Sequence, residues 1–99
     1  MAHLVAAPEI SDDFERFFEH LALFDPGAAP DRLEEIMRAV EILTTSPLIG
    51  RPLPGGKREL VIGRGSRGYV ALYRYVAEID TVFLLALRNQ RESGYKHEG

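Results

Sequence analysis

Seven cations recur through the second half of the chain, Lys57, Arg58, Arg64, Arg67, Arg74, Arg88 and Arg91, among runs of Val, Ile, Leu, Tyr and Phe that have strand composition. Laid out on a sheet, they would give one strongly basic surface. Tyr69, Tyr73 and Tyr75 lie among them, and arginine beside exposed aromatic rings is one footprint of nucleic-acid contact. The opposing reading buries these rings and hydrogen-bonds their hydroxyls at the rim of a core. Charge is divided unevenly between the halves. Residues 1–56 hold four Lys/Arg against ten Asp/Glu and residues 57–99 hold eight against five, so the net charge of −3 is a sum of −6 and +3. That asymmetry says more than the net charge does.

Other chemistries find little support. Gly63-Arg64-Gly65-Ser66-Arg67-Gly68 matches the G-x-G-x-x-G dinucleotide fingerprint, but that motif must open a helix whose N–H groups face a pyrophosphate. Here the residues that follow, Tyr69 to Tyr75, read as a strand, so the glycines are expected to form a hairpin connection. Its N–H groups, with Arg64 and Arg67, could still meet a phosphate or carboxylate. His3, His20 and His97 have no helix-spaced pairing and the chain has no Cys, so no metal site and no cofactor is expected. Ser11, Ser46, Ser66 and Ser93 sit at expected caps and turns, outside any G-x-S-x-G elbow. Asp12-Asp13 and Glu34-Glu35 read as solvated helix faces.

The elements that must carry these residues follow from periodicity. His3 to Ala7 is an expected edge strand, stopped by Pro8. Ser11 is expected to cap a helix in which Phe14, Phe17, Phe18, Leu21 and Phe24 recur along one face, mostly as core. Asp25-Pro26-Gly27 ends it. A second helix opens at Pro30-Asp31 and carries Leu33, Ile36, Met37, Val40 and Leu43. Pro47 to Gly56, with three prolines and three glycines, is an expected irregular crossing loop. Arg58 to Ile62, Tyr69 to Val76 and Thr81 to Arg88 then form antiparallel strands joined by short connections. Ninety-nine residues with 45% hydrophobic content fit one α+β domain spanning 1–99. Its order is β-α-α-β-β-β: a helical hairpin packed on a curled, mostly antiparallel sheet whose other face is left concave and open. No basic leader and no long apolar run is present, so a soluble protein of the cytoplasm, without membrane attachment, is expected.

With that order in place, several segments taken together resemble the RelE/ParE superfamily of type II toxin–antitoxin toxins. They are Gly50-Arg51-Pro52 leading to Arg58-Glu59-Leu60, then Gly68-Tyr69 with Leu72-Tyr73-Arg74-Tyr75, then Ala86-Leu87-Arg88-Asn89-Gln90-Arg91 running to Tyr95. The resemblance covers nearly the whole chain and implies a growth-arresting toxin encoded beside its antitoxin, in a module of plasmid maintenance or stress response. It also implies a toxin–antitoxin hetero-oligomer.

The superfamily divides by mechanism. RelE-like members cleave messenger RNA on the ribosome, and the resemblance would assign that work here to Lys57, Arg58, Arg91 and Tyr95. ParE-like members inhibit DNA gyrase, and the residues for target binding would be Arg58, Arg64, Arg67, Arg74, Arg88 and Arg91. Val70 stands where a ribonuclease has a transition-state-stabilising arginine, and an apolar side chain cannot neutralise a developing phosphorane. Arg74 lies about 13 Å farther along the strand. The spacing from Arg91 to Tyr95 is short for the enzymes, and a pI near 5.6 is unexpected for binding in an RNA-lined site. These departures favour the ParE-like branch. A nontoxic sheet-based binding module is the third reading.

Overall fold

The computed structural model describes residues 1–63, 68–90 and 95. Five strands form one sheet in the order β1-β5-β4-β3-β2, where β1 is His3–Ala6, β2 Arg51–Pro52, β3 Arg58–Ile62, β4 Tyr69–Val76 and β5 Thr81–Asn89. The short edge strand β1 runs parallel to β5, with His3 opposite Thr81 and Ala6 opposite Leu84. The remaining pairs are antiparallel. Helices α1 (Ile10–Phe24) and α2 (Ala29–Ile42), joined through a single 3₁₀ turn at Pro26–Ala28, pack on one face. The expected α+β order is therefore present.

Alternation along β4 sends Tyr69, Ala71 and Tyr73 into the helix-packed core, where they meet Phe17, Ile36, Val40, Leu43, Ile62, Val82, Leu84 and Leu87. Phe17 and Tyr69 pack ring to ring at 4.9 Å. Tyr69 and Tyr73 are thus core residues, as the apolar reading of the strand tyrosines held. Part of the aromatic stripe on α1 behaves differently. Phe17 and Leu21 are buried and Phe14 is half-buried, whereas Phe18 is 51% exposed and Phe24 75% exposed. A helix lying on a sheet can bury only one narrow stripe, and Asp13, Phe17 and Leu21 at four-residue spacing occupy it. Ser11 is not the N-cap. The helix begins at Ile10 with Glu9 at the cap, and the Ser11 hydroxyl instead donates to the Pro8 carbonyl at 3.1 Å.

Asp13 departs furthest from expectation, for its carboxylate is not solvated: it is 0% exposed. The reason lies in β5. The pairing of Leu72 with Ala86 and of Tyr73 with Leu84 leaves Leu85 as an extra residue, a bulge that turns Leu87 inward. Strand β1 has ended by then, opposite Leu84, so the Leu87 peptide faces α1 instead of a strand. Its N–H donates to Asp13 Oδ2 at 2.9 Å, and its carbonyl accepts from Arg16 at 3.3 Å. Arg16 also holds Asp13 Oδ1 at 2.7 Å. Two side chains one helical turn apart thereby complete the hydrogen bonding that a strand would supply. Asp13→Ala should leave the Leu87 N–H buried without this acceptor and lower the unfolding free energy by about 2–4 kcal/mol, read from urea denaturation.

The segment before β3 is anchored as firmly. The expected irregular loop contains a two-residue strand, β2, which sequence could not reveal because Pro52 and the surrounding glycines read as loop. Ahead of it, the Tyr73 hydroxyl donates to the Pro47 carbonyl at 2.8 Å and accepts the Gly50 N–H at 2.9 Å. Arg58 donates to the carbonyls of Leu48 and Gly50 at 3.1 and 2.8 Å. A Cβ on Gly50 would lie 2.6 Å from the Tyr73 hydroxyl oxygen and 2.8 Å from the Glu59 carbonyl oxygen. Gly50→Ala should therefore force the loop off its anchors and cost about 1–3 kcal/mol in the same denaturation measurement.

Candidate functional site

Strand alternation divides the cations between the two faces of the sheet, so they do not form one continuous basic surface. Arg58 shares its face of β3 with Leu60 and Ile62, and its guanidinium serves the loop carbonyls just described. Lys57, half-buried, sits just ahead of the strand. Arg74 and Arg88 are on the face away from the helices, with Val70, Leu72 and Ala86. Arg74 donates to the Gly55 carbonyl at 2.9 Å and fixes the glycine turn before β3. Gly63 and Gly68 flank the junction of β3 and β4, and Tyr69–Val76 is a strand, so no helix opens behind the glycines as a dinucleotide fingerprint would require. Arg64, Arg67 and Arg91 lie outside the described residues.

The outer face is not left open, because Tyr95 lies across it. The Tyr95 hydroxyl donates to Glu59 Oε2 on β3 at 2.6 Å. The Arg88 guanidinium on β5 sits 5.3 Å from the centroid of the Tyr95 ring. Those two strands flank β4, so the phenol spans β4 in the region of Val70 and Leu72. Both are buried at 3% and 2% exposure although, among the described residues, no helix packs on this face. An apolar Val70 suits that place under an aromatic ring.

Glu59 is the hub. Directly opposite it in the β2–β3 pair stands Arg51, which donates to Glu59 Oε1 at 2.6 Å while remaining largely exposed itself. The Glu59 carboxylate, 8% exposed, therefore has one oxygen on a guanidinium and the other on a phenol. Burial alone would raise its pKa. The hydrogen bonds from Tyr95 and Arg51, with the charges of Arg51 and Arg88, outweigh that and hold the carboxyl below its usual range. Tyr95 moves the other way: burial, then the hydrogen bond to Glu59 and the charge on it, push the phenol far above the ordinary tyrosine range, against the opposing pull of Arg88. The arrangement is built to keep Tyr95 protonated and Glu59 ionised.

Arg51 and Glu59 were not among the residues singled out for chemistry in the sequence. The available signal was a carboxylate inside an apolar strand run, which is seldom buried unless paired. Among the described residues no group of three or more His, Asp or Glu could hold a metal, and no helix is long and apolar enough to cross a membrane.

This architecture has a solved counterpart. A chain from a structure of the chromosomal ParDE TA system from P. aeruginosa superposes with a TM-score of 0.75, covering 90% of this chain and 96% of its own, at 20% identity. At that identity the likeness is one of fold. No curated protein matches the chain. The family is given by a match over residues 4–94 to the ParE toxin of type II toxin-antitoxin system, parDE. The chain belongs to that family of toxins.

The direction of the Glu59 shift sets a pH dependence. A carboxyl whose pKa is lower folded than unfolded adds stability that is complete above the usual value of 4.5 and is lost as the pH falls through the folded value. The melting temperature should therefore fall between about pH 5 and pH 3, and fall less steeply in Glu59→Gln, which has no charge to lose. Parallel slopes in the two proteins would show that Glu59 carries no such stabilisation.

Proposed function

We propose that this ParE-family toxin arrests growth by binding DNA gyrase and not by covalent chemistry, and that a cognate antitoxin encoded beside it neutralises it in the cytoplasm. The observation that carries the mechanistic part is the Tyr95 hydroxyl donating to the Glu59 carboxylate. A tyrosine acting as general base must give up its proton near working pH. Here burial and an adjacent anion oppose ionisation. The buried carboxylate at the hydroxyl end of the ring would also repel a phosphate drawn toward it. Val70, apolar and buried, supplies no charge for a phosphorane.

Binding is the chemistry that remains. Arg51, mostly exposed, and Arg88, half-buried over the tyrosine ring, present guanidinium donors at the border of the outer face. The exposed apolar residues of the helical hairpin, Phe18, Leu23, Phe24 and Met37, offer surface for an antitoxin to cover.

Expression without the antitoxin should stop growth and induce an SOS response, and co-expression should restore growth. Purified toxin should inhibit gyrase supercoiling, and Arg88→Ala should weaken that inhibition about tenfold or more, the loss expected of one charge-assisted contact. Tyr95→Phe should stay within about tenfold of the parent, whereas loss of a general acid or base would cost roughly 10²- to 10⁴-fold. Undiminished supercoiling at saturating soluble toxin would rule out gyrase as the target.

A further inference from the structure

We infer that Glu59 is a positioning residue for the target-binding face: it fixes Tyr95 across β4, and through the Tyr95 ring it fixes the Arg88 guanidinium. This rests on the reading of Arg88 as a target contact given above. Three observations carry it. Glu59 is nearly inaccessible, at 8% exposure, so it is not placed to touch a macromolecule itself. Both its oxygens are engaged, at 2.6 Å each, by groups from two places distant in sequence, Arg51 and Tyr95. The ring so held carries the Arg88 guanidinium at 5.3 Å, within the range of a cation–π contact.

An unsupported arginine side chain would sample many rotamers and lose that freedom on binding, which weakens the complex. Holding Arg88 over a fixed ring removes part of that cost beforehand. The fixing depends on charge as well as on shape. A neutral amide at position 59 would accept a weaker hydrogen bond from the phenol and would attract neither guanidinium. Leu72 separates Glu59 from Ala86 across the sheet and Val70 separates Val61 from Arg88, so the two anchors of the ring stand on the strands either side of β4.

The test reads Tyr95 directly before it reads function. Purified parent and Glu59→Gln are nitrated with tetranitromethane, which attacks phenolate, and the rate at Tyr95 is followed by peptide mass spectrometry. Each unit of pKa is tenfold in phenolate, so nitration of Tyr95 should quicken by about tenfold or more in Glu59→Gln, while the buried core residues Tyr69 and Tyr73 keep their rates. Gyrase inhibition is then measured for Glu59→Gln, Tyr95→Ala and the double variant. Each single change should raise the inhibitory concentration about three- to tenfold. The double should be no worse than the weaker single, because the two act through one arrangement.

An unchanged nitration rate, or losses that multiply in the double variant, would overturn the inference. If Glu59→Gln does not fold, Tyr95→Ala, which leaves the Arg51–Glu59 pair in place, decides it: inhibition equal to the parent's contradicts a role for the ring. Should the parent itself fail to inhibit gyrase, the target reading falls, and the nitration ratio alone decides whether Glu59 positions Tyr95.

Discussion

The capture of the Leu87 peptide by Asp13 and Arg16 is the constraint on which the rest of the structure depends. Strand β1 is too short to cover the whole of β5, and the bulge at Leu85 turns the uncovered part toward α1. Without an acceptor for the Leu87 N–H, this stretch would bury an unsatisfied backbone group. A carboxylate one turn into α1, neutralised by Arg16 at 2.7 Å, fills the place of the missing strand. That single contact sets how α1 docks on the sheet and holds the strand end from which Arg88 projects. The inward Leu87 and the outward Arg88 are adjacent residues on one strand, so the core and the candidate site share one backbone position.

The two faces of the sheet solve different problems. The helix-packed face is an ordinary apolar core whose polar exceptions are satisfied: Asp13 by a peptide and an arginine, the Tyr73 hydroxyl by Pro47 and Gly50. Among the described residues the opposite face has no covering helix, and the Tyr95 phenol lies on it. Tyr95, half-buried, needs an acceptor for its hydroxyl. Glu59 is that acceptor, and Arg51 keeps its charge tolerable under burial. The result is a polar relay from β2 to β5 with an arginine at each end, Arg51 exposed and Arg88 half-buried.

Much of this was legible in the sequence where periodicity is strong. The two helices, the three long strands and the short edge strand at the start follow from spacing and order, and the family resemblance rests on the segments quoted for it. What escaped was set by tertiary context. Asp13 stands beside another aspartate at a helix start, where carboxylates are ordinarily solvated, and only its four-residue spacing from Phe17 and Leu21 marked it as inward. The short strand β2 hides among prolines and glycines. A bulge leaves no mark in composition, and without it the inward turn of Leu87 cannot be read from alternation along β5. Glu59 was visible as a strand residue, yet its partners come from positions 51 and 95, and no local pattern links them. Tyr95 was singled out for its chemistry, but its role depends on whether its neighbour is a cation or an anion, and that is decided only in the fold.

The claim that the outer face binds and does not catalyse meets its most direct test on translating ribosomes. Purified toxin in stoichiometric amount, added to ribosomes paused on a defined message, is followed by primer extension over several minutes. The Glu59-bound, protonated Tyr95 predicts a full-length message at every time point. A cut at the codon in the A site, present with the parent and lost with Tyr95→Phe, would contradict the account.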